Sequence, residues 1–197
     1  MTSFLETELL AVGALKQGHF LLASGLHSDR YIEKFDLLRS PGVTSRILQY
    51  WVSQFTSEHI DVVAGPTTGG VILSFELARQ LGCKSAYAER IFEGEKGREF
   101  RRGTSFARDA RVLIVDDILT TGGSIRETIG ALEQHPVKII GIAVLVDRSN
   151  GATTFGQIPL TALLTLDVKA WEPDNCPLCR DGVRVVKPGT TVVDGGV

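Results

Sequence analysis

The run Val112-Leu113-Ile114-Val115-Asp116-Asp117-Ile118-Leu119-Thr120-Thr121-Gly122-Gly123-Ser124 sets the strictest limit on what this chain can fold into. Its first four residues are apolar and β-forming without alternation. That describes a strand covered on both faces, and such strands belong to parallel sheets. The run then supplies two adjacent carboxylates and a hydroxyl- and glycine-rich turn that opens a helix, predicted over 123–133. The same order of strand, turn and helix recurs. Strands are expected at 61–64, 85–89, 111–115, 138–146 and 160–166, with helices at 42–55 and from the turn 65–70 to about residue 81. The fold class is therefore α/β, an open parallel sheet flanked by helices.

Ahead of this pattern, residues 3–17 predict an amphipathic helix. Ser3 and Glu6 stand at capping-box spacing, Phe4, Leu5, Leu9, Val12 and Leu15 recur at helical intervals, and Gly18 is placed to stop it. A short strand pair is expected at 20–22 and 31–32, joined by the polar turn 24–28. Residues 92–103 are charged and aperiodic, hence a loop, and the chain beyond 166 reads as an irregular tail rich in Pro and Gly. The expected organisation is an N-terminal unit over 1–40, an α/β core over 41–158 and a C-terminal strand and tail over 159–197.

Composition narrows the function classes. The chain has 197 residues and a net charge of −2, which gives no general attraction to nucleic acid. The apolar run 139–146 is far short of the ~20 residues a membrane helix needs. Glu6 and Glu8 near the start argue against a signal peptide. Three cysteines are an odd count and too few for a disulfide scaffold, so a reducing cytoplasm is the expected location.

In an open α/β sheet, ligands bind beyond the carboxyl ends of the strands. After Asp116 and Asp117, the turn Thr120–Ser124 presents backbone N–H groups at a helix N-terminus, an anion site. Its glycines allow close approach, and its hydroxyls add donors. Carboxylates beside an anion site make sense for a ligand that also carries hydroxyls or arrives with Mg²⁺. The combination asks for a phosphorylated sugar. A second glycine-rich turn, Gly65-Pro66-Thr67-Thr68-Gly69-Gly70, also enters a helix.

The segment 112–124 resembles the loop of the type I phosphoribosyltransferases that binds phosphoribosyl diphosphate (PRPP). The resemblance implies a five-stranded parallel core with a small N-terminal hood, and a ribose held by Asp116 and Asp117. It also implies a 5-phosphate cradled by Thr120, Thr121, Gly122, Gly123 and Ser124, and diphosphate at Thr67, Thr68 and Gly69. The segment 18–32, Gly-His-Phe-Leu-Leu-Ala-Ser-Gly-Leu-His-Ser-Asp-Arg-Tyr-Ile, is similar to the hood of the members that use orotate. Asp147-Arg148 after the following strand matches the pair whose arginine binds the orotate carboxylate, a role suited to a guanidinium fork. Orotate contacts are thus expected at Arg148, Thr120, Tyr31 and Ser24.

The charged stretch 87–103 takes the place of that family's mobile catalytic loop. Lys96 and Arg98 are the expected loop-tip catalytic cations, acting with Asp116 and Asp117, while Arg90, Arg101 and Arg102 flank them on PRPP. Ala23 and Gly69 stand where some members carry lysine. The reaction implied is Mg²⁺-dependent transfer of phosphoribosyl from PRPP to orotate in a homodimer, with the metal held mainly by PRPP and no protein metal site. A purine or other base as acceptor, and a PRPP-sensing regulator on the same fold, are the alternatives. In the tail, Cys176-Pro177-Leu178-Cys179 is a single Cys-x-x-Cys; a zinc site needs four ligands, and only Cys83, His19, His27, His59 and His135 remain in the chain. A packing role is the expectation there, with metal binding, for instance by pairs pooled from two subunits, and redox chemistry as the alternatives.

Overall fold

A computed structural model of the chain describes residues 4–22, 24–92, 97–166 and 169–188. The elements in chain order are α1 (Phe4–Ala11), β1 (Leu15–Leu21), β2 (His27–Ile32), α2 (Lys34–Leu38), α3 (Pro41–Phe55), β3 (Val62–Pro66), α4 (Gly69–Leu81) and β4 (Lys84–Arg90). They continue with β5 (Arg98–Glu99), β6 (Ala110–Leu119), α5 (Gly123–Leu132), β7 (Val137–Asp147), β8 (Leu160–Thr165), β9 (Ala170–Trp171), a 3-10 turn at Pro173–Asn175 and α6 (Pro177–Arg180).

The main sheet has the order β5-β4-β3-β6-β7-β8. Its five long strands are parallel, and the two-residue β5 runs antiparallel at the edge. Both faces are buried, which explains the unbroken apolar runs. Leu113 and Val115 of β6 pack into one core with Leu48, Trp51 and Leu73 of α3 and α4. Val112 and Ile114 pack into a second core with Ile125 and Leu132 of α5. Alternate residues of one strand thus feed opposite layers. The sequence reading of this sheet holds. No helix among the described residues is long and apolar enough to cross a membrane.

The N-terminal reading needs correction. Ser3 lies outside the described residues, and α1 ends at Ala11 rather than near residue 17. Gly13 adopts φ +72° and turns the chain out of the helix, and Leu15 enters β1. Glu6 pairs with Arg30 of β2 at 3.2 Å. The apolar spacing of 4–15 is shared between a short helix and a strand, and tertiary pairing decides between them. Gly18 lies inside β1, where the pairing with β2 slips register between Gln17 and Phe20. More elements escape the sequence reading: α2, five residues long, β5 within the expected loop, and β9, the 3-10 turn and α6 within the expected irregular tail. β1, β2 and β9 form a small antiparallel sheet, so the tail returns to the hood.

Candidate active site

The acid pair stands at the carboxyl end of β6, the central strand of the main sheet. Both acids are almost fully buried, Asp116 at 7% and Asp117 at 4% exposure. The two-residue period of the strand sends them to opposite sides. Asp116 follows Val112 and Ile114 and lines a cavity of about 250 Å³ with Arg90, Thr120–Ser124 and Glu127. Asp117 follows Leu113 and Val115 and lines a cavity of about 870 Å³ with Ser24, Tyr31, Lys34 and Arg148. Ile118 and Thr120 belong to both walls, so the cavities adjoin across the strand end.

The smaller cavity is built for an anion. Gly122 is the N-cap of α5, adopts φ +78°, and makes no side-chain capping bond. The first N–H groups of α5 therefore keep their donors, at the positive end of the helix dipole. A Cβ at Gly122 would lie 2.8 Å from the Phe155 ring, so packing as well as backbone angle demands glycine. Thr120, Thr121 and Ser124 add hydroxyls. Arg90, an exposed cation on the wall, has no carboxylate partner among the described residues. Burial, and then the charge on Asp117, push the Asp116 carboxyl up to about 7.

Asp117 is held from three sides. Its Oδ1 accepts the Ile118 backbone N–H at 2.7 Å, and Lys34 Nζ lies 3.0 Å from Oδ2. Gly69 backs the same carboxylate: a Cβ there would fall 1.7 Å from Oδ2. Gly65 and Gly70 are equally constrained, because a Cβ on Gly65 would lie 2.4 Å from the Gly70 carbonyl oxygen. The turn 65–70 is thus a tight backbone crossing, and its Thr67–Thr68 peptide is cis. Thr67, Thr68 and Gly69 line neither cavity; they form the shelf behind Asp117.

Arg148 stands at the end of β7. Its backbone N–H donates to the Leu119 carbonyl at 2.8 Å, which ties it to the end of β6. Asp147 orders the following turn by accepting the Ser149 and Gly151 N–H groups. Arg148 Nε is buried without a hydrogen-bond partner among the described residues, and burial pulls the guanidinium pKa down. Such a group calls for an anionic ligand. Tyr31 is on the same wall, its ring 5.7 Å from that of Phe20. The structure therefore brings Arg148, Tyr31, Ser24 and Thr120 to one cavity. Ala23 lies outside the described residues.

The charged segment departs most from expectation. Lys96 lies outside the described residues. Arg98 is not at a loop tip: it sits in β5 at 5% exposure. Its Nη1 donates to Thr67 Oγ1 at 2.9 Å and to the Ala88 carbonyl at 3.0 Å, and Nε lies 3.2 Å from Glu127. Pairing of Arg90 with Arg98 across β4 and β5 draws this side chain under the shelf. Arg101 bonds Glu99 and the Ile91 carbonyl, and Arg102 lies 3.2 Å from Glu89; neither lines the cavities. Lys34 and Glu127 are the site residues that sequence reasoning missed. Lys34 had a signal, a cation just after the Tyr31-Ile32 strand of the hood.

Known proteins are similar to this chain in sequence and in fold. Residues 43–154 match the model of the phosphoribosyl transferase domain family. The chain is 44% identical to the orotate phosphoribosyltransferase of Caldicellulosiruptor bescii over 90% of its own length and 91% of the relative's. It is 37% identical to that of Thermotoga maritima, over 90% and 93%. Among solved structures it is similar to orotate phosphoribosyltransferase from Aeropyrum pernix, with TM-score 0.67, 28% identity, and coverage of 81% of this chain and 92% of that one. An adenine phosphoribosyltransferase from Thermoanaerobacter pseudethanolicus gives TM-score 0.60 at 17% identity over 70% and 88%, a likeness of fold alone.

Proposed function

Because this chain belongs to the phosphoribosyl transferase family, we propose that it transfers the 5-phosphoribosyl group of PRPP to orotate, giving orotidine 5′-monophosphate and diphosphate. One observation carries the choice of acceptor. The guanidinium of Arg148 faces a cavity that shares a wall with the anion-binding turn, and its Nε has no hydrogen-bond partner among the described residues. Orotate brings a carboxylate that a guanidinium binds through two parallel hydrogen bonds. A purine brings none.

The 5-phosphate takes the open N–H groups and hydroxyls of Thr120–Ser124. The ribose lies across the end of β6, where ionised Asp116 and Asp117 accept bonds from its hydroxyls from either side. As diphosphate departs, positive charge grows on the anomeric carbon. The two buried carboxylates stabilise that charge in a site already organised for it. Arg148, Tyr31 and Ser24 hold the pyrimidine in line with the anomeric carbon, so orientation supplies part of the rate. Lys34 neutralises Asp117 between turnovers and is near enough to answer ligand charge in the larger cavity. Arg90, on the wall of the anion cavity, is a cation placed to answer the charge of the departing diphosphate.

The donors around the cavities are carboxylate, hydroxyl and backbone groups, the hard oxygen set that Mg²⁺ takes. They fit a magnesium ion carried in by PRPP, with Asp116 and Asp117 as the protein groups that would face it. When bound, Mg²⁺ neutralises diphosphate oxygens and makes them a better leaving group. We place the enzyme in the cytoplasm, in keeping with its unpaired cysteines, and in a homodimer, in keeping with the exposed Phe75 and Ile72.

The direct test is consumption of orotate, followed by its ultraviolet absorbance, by purified protein with PRPP and Mg²⁺. Stoichiometric formation of orotidine 5′-monophosphate is expected. Turnover of adenine or hypoxanthine with none of orotate would overturn the assignment.

A further inference from the structure

Four side chains converge at the joint between hood and tail, away from both substrate cavities. His19 is on β1 and His27 on β2, while Cys176 and Cys179 flank the start of α6. In sequence His19 and Cys176 are 157 residues apart. In space the ligand-capable atoms of all four lie within 4.8 Å of one another. His19 Nε2 is 2.8 Å from His27 Nδ1, 3.5 Å from Cys176 Sγ and 3.8 Å from Cys179 Sγ, and Cys179 Sγ is 3.3 Å from His27 Nδ1. Ligands of a tetrahedral zinc ion, at ~2.0 Å for nitrogen and ~2.3 Å for sulfur, stand roughly 3.3–3.8 Å apart. The three thiol–imidazole distances match, and the two imidazoles need to part slightly.

Second-layer contacts favour the same reading. His19 Nδ1 lies 2.7 Å from the Val183 carbonyl oxygen. A carbonyl can only accept, so Nδ1 carries the proton, and Nε2 turns its lone pair toward the other three groups. Metal-bound histidines are commonly fixed in this way. Cys176 is fully buried, His19 and His27 nearly so, and Cys179 sits at the rim. The tail is also laid along the hood by backbone bonds. Leu21 N–H donates to the Val186 carbonyl, Val186 N–H donates to the His19 carbonyl, and His27 pairs with Trp171.

We propose that His19 Nε2, His27 Nδ1, Cys176 Sγ and Cys179 Sγ form a structural zinc site that fastens the C-terminal tail to the hood. The ligand set is closed, two imidazoles and two thiolates, with no position left for a substrate. Two thiolates balance the charge of Zn²⁺, so the buried cluster is neutral. On binding, each thiol gives up its proton to solvent and forms one S–Zn bond, with no change in oxidation state. The isolated Cys-x-x-Cys becomes a complete site within one chain, without a second subunit.

The test is metal analysis of the full chain, purified reduced and without a histidine tag. One equivalent of zinc per chain is expected. A chelator strong enough to remove it should lower the thermal midpoint by at least ~5 °C, reversed by added Zn²⁺. Cys176→Ser combined with Cys179→Ser should abolish stoichiometric zinc. If that variant does not fold, Co²⁺ added to metal-free wild-type protein decides alone. Visible bands of tetrahedral Co²⁺ with a thiolate charge-transfer band support the site. Their absence, stoichiometric zinc in a folded double variant, or a Cys176–Cys179 disulfide in the active protein overturns it. The outcome does not depend on which base the enzyme uses.

Discussion

The carboxylate of Asp117 occupies the space that a side chain at position 69 would need: a Cβ built on Gly69 would stand 1.7 Å from Asp117 Oδ2. The glycine of one turn is thus required by the acid of another, and the two strand ends form one unit. Gly69→Ala should push Asp117 off its position while leaving the sheet intact. Overpacking of this kind costs ~1–3 kcal/mol. A modest drop in thermal midpoint with at least a tenfold loss in kcat/KM for PRPP is expected from steady-state kinetics. Wild-type kinetics in this variant would mean that the position of Asp117 does not matter.

Arg148→Ala removes the guanidinium assigned to the orotate carboxylate. A charge-assisted pair contributes ~1.5–3 kcal/mol. The KM for orotate should rise about 10- to 100-fold, and PRPP affinity, measured by calorimetry, should change little. An equal loss of both would place Arg148 in the general architecture of the site.

Asp116 should give the activity a pH dependence. Burial and the neighbouring Asp117 raise its carboxyl from 3.8 to about 7. The ionised form accepts the ribose hydroxyls, so kcat/KM should rise with pH through about 7 and level off above it. The sign for stability is opposite. A raised pKa means that the folded state favours the proton, so this contribution is present below pH 4 and is lost as pH rises through about 7. Asp116→Asn should lower activity at every pH, remove the inflection, and flatten the decline in thermal midpoint between pH 5 and pH 8.

Arg98 and Arg102 should separate cleanly, although both lie in the charged segment. Arg98→Ala leaves Thr67, Ala88 and Glu127 without their partner in a buried setting. A loss of ~2–4 kcal/mol, or roughly 4–16 °C in thermal midpoint, is expected. Arg102 has an exposed side chain, and Arg102→Ala should stay within ~0.5 kcal/mol of wild type. A loss of kcat in folded Arg102→Ala, with PRPP binding kept, would bring that residue into the reaction.

Much of this molecule was readable along the chain. The sheet announced itself because strand segments buried on both faces must be apolar without alternation, as residues 62–64 of β3, 112–115 of β6 and 142–146 of β7 are. The anion turn was legible because a glycine-rich stretch opening a helix leaves donors free whatever surrounds it. The opposite facing of Asp116 and Asp117 was not read along the chain, because the strand expected to end at residue 115 runs on to Leu119 and carries both acids.

Other features had no local signal. The spacing of residues 4–15 serves a helix and a strand equally well, and only pairing with β2 selects β1. Arg98 reads like any other cation of its segment until β5 pairs with β4 and carries it under the turn at Thr67. His19 and Cys176 meet because the tail returns along the hood. Sequence alone determined which segments form strands, turns and helices in the core, since those choices rest on neighbours a few positions away. The tertiary structure decided which side chains face one another, because contacts between distant segments depend on how the whole chain closes.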